Sequence, residues 1–288
     1  PEVTATILAV DAQGLLRPLA APGLPSSIND ALDGVPIGPR AGSCGTAAFR
    51  NEPVVVTDIA SDPLWDDYRD LFADSGMRAC WSSPIRGHRG QPIGTFAFYY
   101  REPRTPAALH RRLVDACLHL CAVAIERDST HQRIHQLAFF DVLTGLPNRA
   151  LFRSSAQRAL AELHREDRTG ALLFMDLDRF KQVNETQGHA AGDALLCEVA
   201  KRLTQGLRAR DLIARLSSDE FVLLLPECSS EQAVQRAHRV LNAIAQPLEI
   251  LGQTHVPHAS IGIAMFPNDG DTIDTLLRHA DQAMHQAK

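Results

Sequence analysis

Acidic residues follow the apolar segments in the second half of the chain, where they could hold a divalent cation. Asp176 lies near the end of the apolar run ALLFMDLD (171–178), and Asp219 and Glu220 separate the apolar runs DLIARL and FVLLL. If these runs are paired strands of one sheet, two or three carboxylates meet at one sheet edge. Such a cluster is costly unless a cation neutralises it, and hard oxygen ligands suit Mg²⁺. If a nucleotide triphosphate were bound there, such a metal would bridge its phosphate oxygens and activate a hydroxyl.

Each acidic residue taken singly also has a structural explanation. Asp178 is placed to cap a following helix, and Asp219 and Glu220 are typical of a solvated turn. Taken one at a time, these structural roles are the commoner ones. A functional interpretation has to rest on several motifs together.

The elements that would position these carboxylates alternate between strand and helix beyond Asp141. Hydrophobic periodicity predicts strands at 171–178 and 258–266, a hairpin around 217–220, and helices at about 190–206, 229–245 and 272–288. This order is typical of a ferredoxin-like sheet built on a split βαβ unit.

The first hundred residues show a different pattern. Short β-rich runs separated by turn signals extend from Val3 to Tyr100 and predict an antiparallel sheet with helices on its faces. The predicted fold class of the whole chain is therefore α+β.

Residues 105–140 contain no glycine or proline after Pro106 and predict a long connecting helix. Arg127 and His131 interrupt its apolar seam, which leaves a shorter helix followed by a polar connector as the alternative. The seam consists of Leu109, Leu113, Cys117, Leu120, Ala124, Ile134 and Ala138.

Composition excludes several classes of protein. The 288 residues are 45% hydrophobic and 22% charged, which is typical of a soluble globular chain with room for two domains. A net charge of −5 argues against a duplex-binding face, so no DNA or RNA partner is expected. The six cysteines show no metal-ligand spacing, and the chain carries neither a signal peptide nor a membrane-spanning run, so we expect a reducing, cytoplasmic location.

Five motifs in order resemble the GGDEF family of diguanylate cyclases. They are DVLTGLPNR (141–149), MDLDRFKQVNE (175–185), GHAAGD (188–193), RLSSDEF (215–221) and ADQAMHQAK (280–288). Any one motif is weak evidence, whereas five in sequence are strong. The resemblance implies that two GTP molecules, held on two domains, condense to cyclic di-GMP and pyrophosphate.

The resemblance also implies roles for individual residues. Asp176, the Leu177 carbonyl and Asp219 would hold Mg²⁺ (or Mn²⁺). Asp219 would also help to deprotonate the attacking hydroxyl, with support from Glu220. The GTP-binding residues implied by position are Lys181, Asn184, Asp193, Ser217, Ser218 and Lys288.

Ser217 and Ser218 depart from the family pattern, which has two glycines at these positions. Glycine supplies a positive φ or lets the backbone approach a phosphate closely. Ser218 is expected to crowd the phosphates, although its hydroxyl could donate to a phosphate oxygen. The Gly-Arg pair expected after Lys288 lies outside this chain, so the GGDEF domain is expected to be truncated at its C-terminal end.

Arg208 and Asp211 match the R-x-x-D pattern of the inhibitory product site of cyclases. Guanidinium groups suit both guanine and phosphate, so the match implies cyclic di-GMP binding. A charged turn between helix and strand is the alternative.

The N-terminal region resembles a GAF sensor domain. The resemblance rests on GSCGTA (42–47), VVVTDI (54–59), PLW (63–65), RACWSSPI (78–85) and IGTFAFYY (93–100). GAF domains bind different small molecules or none, so the ligand stays unknown. The expected organisation is a GAF-like domain at 1–104, a signalling helix at 105–140 and a GGDEF domain at 141–288, assembled as a homodimer.

Three function classes follow from these resemblances. An active cyclase converts GTP, a degenerate domain binds GTP or cyclic di-GMP without turnover, and an interaction module does neither. The serine pair favours the second class over what family membership alone implies, whereas the retained acidic residues argue against the third. An EAL phosphodiesterase domain beyond Lys288 is expected if the domain is degenerate.

Overall fold

Alternating apolar residues build a five-stranded antiparallel sheet in the first of two units into which the chain divides, residues 1–131 and 132–288. The structure is a computed structural model that describes residues 3–72, 75–250 and 252–288. The strands run in the spatial order β2-β1-β5-β4-β3. Their bounds are β1 (Val3–Val10), β2 (Leu16–Ala20), β3 (Val54–Val56), β4 (Ala79–Arg86) and β5 (Pro92–Tyr100). The antiparallel sheet predicted for this region is confirmed.

Helices cover both faces of this first sheet. They are α1 (Ser26–Leu32), α2 (Gly42–Arg50), α3 (Arg69–Phe72) and the N-terminal half of α4 (Ala108–Phe139), with a 3₁₀ turn at Pro63–Trp65. Cys80 and Tyr99 face the core beneath α2, whereas Trp81 and Tyr100 face the core beneath α4. This alternation follows from the period of two along a strand.

Helix α4 is 32 residues long and begins in the first unit and ends in the second. Its length confirms the predicted long helix and excludes the shorter alternative. In the described part of the chain, no helix combines the length and apolar character needed to cross a bilayer.

The second unit contains a four-stranded antiparallel sheet in the order β11-β6-β8-β7. Its strands are β6 (Gly170–Leu177), β7 (Leu212–Arg215), β8 (Glu220–Pro226) and β11 (Ala259–Phe266), and a separate hairpin pairs β9 (Leu248–Ile250) with β10 (Gln253–His255). Strand β8 lies between β6 and β7, which confirms the predicted split βαβ arrangement.

Five helices pack on the second sheet. They are α5 (Arg149–Arg165), α6 (Phe180–Gln187), α7 (His189–Gln205), α8 (Ser230–Ile244) and α9 (Ile273–Ala287). Apolar residues of α6, α7 and α8 share one core with the sheet, and those of α5 and α9 share the other. Strand β6 is buried along its whole length because both faces are covered.

Gly262 allows α9 to lie directly against β11. A Cβ atom at this position would overlap the Ala280 carbonyl oxygen and the Met284 amide nitrogen of the helix backbone. Because backbone atoms cannot move aside like a flexible side chain, the helix would have to separate from the sheet.

We therefore expect Gly262→Ala to lower the free energy of unfolding by ~1–3 kcal/mol through overpacking. Urea denaturation followed by circular dichroism measures this change. Gly206→Ala is the matched control, because a Cβ there meets only the Leu203 carbonyl oxygen at an ordinary 3.7 Å. Equal stability losses for the two variants would contradict the packing argument.

Candidate active site

Strand register brings two acidic residues of the site side by side. Asp176 on β6 is paired with Glu220 on β8 and, across its other edge, with Ser260 on β11. Asp176 is only 8% exposed, which is unusual for a carboxylate. The expectation that these strands pair and gather carboxylates at one edge is confirmed by this register.

Lys288 provides the positive charge that faces these carboxylates. Its Nζ atom donates to Asp176 Oδ1 at 2.5 Å. This hydrogen bond raises the pKa of Lys288, and the nearby charges of Asp176, Asp178 and Asp219 raise it further. One ammonium therefore faces three carboxylates, and the site keeps an excess of negative charge.

This donor set suits Mg²⁺ when substrate oxygens complete it. Among the described residues, no three Asp, Glu, His or Cys side chains converge to hold a metal unaided. Mg²⁺ is commonly bound by one or two carboxylates together with substrate phosphates. Asp176, Asp219 and the Leu177 carbonyl are oxygen donors of the required type.

The turn between β7 and β8 carries the serine pair. Ser217 and Ser218 are exposed, and neither adopts a positive φ in the described backbone. The Ser218 hydroxyl donates to Asp219 Oδ1 at 2.5 Å, and the Asp219 carbonyl accepts from the Leu177 amide at 3.2 Å. The turn thus accommodates serine without backbone strain, which leaves crowding by the side chains as their remaining effect.

Arg215 ties this turn to the start of the second domain. Its guanidinium donates to Asp141 Oδ1 and to the Ser218 carbonyl, both at 2.8 Å. The Arg215 side chain is 10% exposed, so the ion pair with Asp141 is shielded from solvent. Both residues lie within the sequence motifs, but the motifs alone predict no role for either.

Asp141 is also held by its own turn. Thr144 donates to Asp141 Oδ1 from its amide at 2.8 Å and from its hydroxyl at 2.6 Å. Burial tends to raise the pKa of Asp141, but the hydrogen bonds from Thr144 and Arg215 outweigh burial and lower it. Asp141 is therefore ionised at neutral pH and anchors Arg215.

Asn148 connects the same region to the end of α4. Its backbone amide donates to the Phe139 carbonyl and its side-chain Nδ2 atom donates to the Ala138 carbonyl, both at 2.9 Å. Its Oδ1 atom accepts from the amides of Ala150 and Leu151 and caps α5. Hydrogen bonds thus fasten the last turn of α4 to the segment that holds Arg215.

Helices α6 and α7 carry the residues expected to read guanine. A Cβ at Gly192 would overlap Asn184 Oδ1, so glycine lets the Asn184 amide approach α7 next to Asp193. Lys181 is 89% exposed and makes only a long 3.5 Å ion pair with Glu185. These side chains lie on the two helices that follow β6, and Lys181 is free to reach a ligand.

Asp211 forms a buried cluster that sequence reasoning identified only in part. The Arg208 amide donates to Asp211 Oδ2 at 2.7 Å, and Arg236 on α8 makes an ion pair with the same oxygen. Arg236 and Asp211 are both largely buried. Arg236 lies outside the R-x-x-D motif, so no local spacing could have revealed it.

A cavity of about 140 Å³ adjoins this cluster. Arginines and apolar residues line it, among them Arg202, Arg208, Arg236, Arg239 and Leu207. Arg202 already donates to four backbone carbonyls in the last turn of α8 and just beyond it, so among the described arginines of the lining Arg208 and Arg239 are the ones open to a ligand.

Comparison with known families matches both units. The model of the diguanylate cyclase GGDEF domain matches residues 138–288, and a GAF domain model matches residues 3–126. The chain belongs to the GGDEF family. It carries a GAF domain followed by a GGDEF domain, in the order that the motifs predicted.

Three proteins of Pseudomonas aeruginosa illustrate the similarity of this GGDEF protein to its relatives. Bifunctional diguanylate cyclase/cyclic di-GMP phosphodiesterase MucR is 46% identical over 55% of this chain and 23% of its own length. Cyclic di-GMP phosphodiesterase NbdA is 32% identical over 86% of this chain and 30% of its own length. The solved GGDEF domain of TpbB is 42% identical, with a TM-score of 0.51, over 52% of this chain and 88% of that one. The chain thus spans less than a third of the first two relatives.

The Asp141–Arg215 pair should contribute to the stability of the second unit. We expect Arg215→Met to lower the free energy of unfolding by ~2–4 kcal/mol, because it leaves a partly buried carboxylate unpaired. Arg158→Met, at an exposed site on α5, is the matched control.

The contribution of Asp141 should depend on pH. Its folded pKa lies below the ordinary value of 3.8, so the ionised pair stabilises the fold above that pH and is lost as pH falls through the folded pKa. The stability advantage of the wild type over Asp141→Asn should therefore shrink below about pH 4. Urea titrations between pH 6 and pH 3 test this, and an advantage independent of pH would contradict it.

Proposed function

We propose that the GGDEF domain binds GTP with Mg²⁺ at the β6–β8 edge and condenses two GTP molecules slowly to cyclic di-GMP. The observation that carries this proposal is the buried Asp176, paired in register with Glu220 and facing Lys288 together with two further carboxylates. A site with this excess of negative charge favours a divalent cation and its bound phosphates.

Asp176, Asp219 and the Leu177 carbonyl would hold the metal ion. Such an ion would neutralise phosphate charge and lower the pKa of a bound hydroxyl. Lys288, which now donates to Asp176, would then be able to turn toward the phosphates. Lys181, which is nearly fully exposed, would approach them from α6.

Each GTP offers its 3′-hydroxyl to the α-phosphate of the other, so two P–O bonds form and close the ring. The two P–O bonds between α- and β-phosphates break and two pyrophosphates leave, while Asp219 of each domain, supported by Glu220, accepts one hydroxyl proton. Asn184 and Asp193 would hydrogen-bond the guanine edge. Adenine would leave these groups unpaired and would be rejected for that reason.

Ser218 is expected to limit the rate. Its hydroxyl donates to Asp219 Oδ1 and so competes with a metal or a proton for one of the two oxygens of this carboxylate. Its Cβ also occupies space that glycine leaves open for a phosphate. This contact favours, as the second candidate function, a domain that binds GTP and does not turn it over.

Cyclic di-GMP would bind beside Arg208 and Asp211. Arg236 already pairs with Asp211, so a ligand there would meet an organised guanidinium rather than a mobile one. Product binding at this cluster would then restrain the domain.

Condensation needs two domains, and the exposed side of α4 fits a dimer seam. Spacings of four and three residues place Leu109, Leu113, Ala116, Leu120 and Val123 along one line, and Leu120 is 69% exposed. In this exposed line Ala116 and Val123 replace Cys117 and Ala124 of the predicted seam, because Cys117 packs against the GAF core. Ile134 and Leu137 continue this spacing after the polar positions Arg127 and Thr130. We infer a parallel dimer in which a small-molecule signal received by the GAF domain alters the helix pair and the meeting of the two GTP sites.

Relatives with names that include phosphodiesterase are much longer than this chain. Their length supports the proposal that this chain is part of a longer protein. NbdA, a cyclic di-GMP phosphodiesterase, aligns with 86% of the chain, which amounts to 30% of NbdA. We propose that an EAL-type domain follows the GGDEF domain and that the protein works in the cytoplasm, where GTP is available.

The serine turn can be tested by restoring glycine. We expect the double variant Ser217→Gly, Ser218→Gly to raise the rate of cyclic di-GMP formation at least about tenfold, because the Asp219 carboxylate is released and the phosphates gain room. Chromatography of reactions with GTP and Mg²⁺ measures the product.

Asp219→Asn in the glycine background is the control and should abolish product. Unchanged turnover in the glycine variant would show that the serines are not limiting. GTP binding with no product from either protein would favour the second candidate function.

The proposed dimer seam has its own test. Leu120→Lys should weaken self-association at least about tenfold, because it places a charge where leucine is buried in the seam. Sedimentation equilibrium measures the dissociation constant, with the neighbouring exposed position in His119→Lys as the matched control. A monomeric wild type at all concentrations would overturn the proposed assembly.

A further inference from the structure

The core of the GAF domain beneath α2 contains an unusual number of polar side chains. Ser82 and Thr95 are fully buried on the sheet face that α2 covers, and Thr6 is 1% exposed beside them. Strand register places Thr6 and Ser82 on either side of Ala97, and Thr95 lies two residues earlier on the same strand. Three hydroxyls thus share one patch of an otherwise apolar core.

These three hydroxyls lack hydrogen-bond partners among the described residues. Other buried hydroxyls nearby are satisfied, since Ser43 accepts from the Trp65 indole and Thr46 accepts from the Ala41 amide. A buried hydroxyl without a partner costs ~1–3 kcal/mol. The patch therefore favours an additional acceptor, and α2, which covers this sheet face, carries the Cys44 sulfur.

Cys44 lies in the first turn of α2, where the free backbone N–H groups favour a negative charge. Its Sγ atom is 3.6 Å from the Tyr99 hydroxyl. Interaction with the Cys80 thiol, and then with the Ser82, Tyr99 and Thr95 hydroxyls, outweighs burial and lowers the pKa of Cys44 to about 7. A thiolate at this position would accept from Ser82 and Thr95, two of the three hydroxyls of the patch.

Cys80 is the neighbour of this sulfur. It is paired with Tyr99 across β4 and β5 and is 1% exposed. Burial raises the pKa of Cys80 well above its usual range, and the adjacent Cys44 raises it further. The two cysteines therefore form a thiolate and thiol pair, with different chemistry at each sulfur.

We propose that Cys44 is a site of reversible oxidation by a small hydroperoxide, with Cys80 as the resolving thiol. The Cys44 thiolate attacks a peroxide oxygen, the O–O bond breaks, and the released hydroxide takes up a proton to form water. The product is a Cys44 sulfenic acid, whose new oxygen accepts hydrogen bonds from Ser82 and Thr95.

Cys80 completes the oxidation. Its sulfur attacks the sulfenic sulfur, the S–O bond breaks, and the oxygen leaves as water with the Cys80 proton. The two thiols lose two electrons to the peroxide and form a disulfide, which an external dithiol can reduce. Cys44 is 4% exposed and Cys80 1%, so the oxidant has to be as small as hydrogen peroxide.

Three other cysteines of the chain differ from Cys44 in the direction of their pKa shifts. Burial raises the pKa of Cys121, Cys197 and Cys228, so these groups stay protonated at neutral pH. Cys197 is nevertheless exposed. If solvent access determined the rate, Cys197 would be oxidised before Cys44. If thiolate character determines it, Cys44 is oxidised first.

Within the first unit, strand β4 connects the oxidation of Cys44 to the position of α4. The next residue after Cys80, Trp81, faces the opposite side of β4 and belongs to the core that contains Val114 and Ala122 of α4. A disulfide that pulls β4 toward α2 would therefore shift the sheet surface on which α4 lies.

Mass spectrometry of the full chain tests the proposal. The reduced protein is treated with one equivalent of hydrogen peroxide, quenched with N-ethylmaleimide in denaturant and digested with trypsin. We expect the peptides 41–50 and 79–86 to be recovered joined by a disulfide, and Cys44 to be oxidised at least about tenfold faster than Cys197.

Variants separate the two steps. Cys80→Ser should let a Cys44 sulfenic acid accumulate, trapped by dimedone, and Cys44→Ser should prevent the linked peptide. Cys197→Ser is the matched control and should leave the linkage unchanged. Circular dichroism checks that each variant is folded.

The wild-type experiment alone can overturn the proposal. If peroxide is consumed while Cys44 and Cys80 are both recovered as maleimide adducts, the pair is not a redox site. Oxidation at Cys197 before Cys44 would contradict it equally. Neither result depends on the proposed GTP chemistry, so the two proposals fail separately.

Discussion

The pairing of β6 with β8 determines where the charges of the GGDEF domain can lie. Strand β6 is buried on both faces, and its register with β8 fixes Asp176 beside Glu220 at the end where β8 begins. A buried carboxylate must find a compensating charge, which Lys288 supplies from the end of α9. Gly262 allows α9 to approach the sheet closely enough for this contact. Packing and electrostatics at the site therefore depend on one another.

The same sheet connects the site to helix α4. Arg215 ends β7 and binds both the Ser218 carbonyl of the signature turn and Asp141, while the Asn148 side chain binds the Ala138 carbonyl of α4. These are side-chain hydrogen bonds, of which the one between Arg215 and Asp141 is partly buried, so displacement of the helix end must either move or break them. These contacts link the last turn of α4 to the serine turn, and the proposed signal along α4 would act through them.

Most elements with a clear local sequence pattern were predicted correctly from that pattern. Strand β6 is a continuous apolar run, the β7–β8 hairpin has a polar turn between apolar segments, and both lie where periodicity predicted them. Helix α5 was not predicted, although its buried residues Phe152, Ala156, Leu160 and Leu163 have helical spacing. The β9–β10 hairpin was not predicted either, because its strands have only three residues each. Such short segments carry too little pattern to reveal their structure.

The candidate site also contains both residues that the sequence reveals and residues that it does not. Residues within contiguous motifs, such as Asp176 and Asp219, could be named from the sequence. Arg236 could not, because its partner Asp211 lies 25 residues away and only the packing of α8 brings them together. The polar patch around Cys44 depends on three strands and a helix and has no signature in any one of them.

Binding of GTP is the measurement that tests the account of the β6–β8 edge most directly. Isothermal titration with and without Mg²⁺, on the wild type and on Asp176→Asn, separates the metal-dependent part of the affinity from the rest. The account predicts that the wild type binds GTP more tightly with Mg²⁺ and that Asp176→Asn loses most of this gain while the protein stays folded. An affinity that is indifferent to Mg²⁺ in the wild type, or a gain that survives in Asp176→Asn, would contradict it.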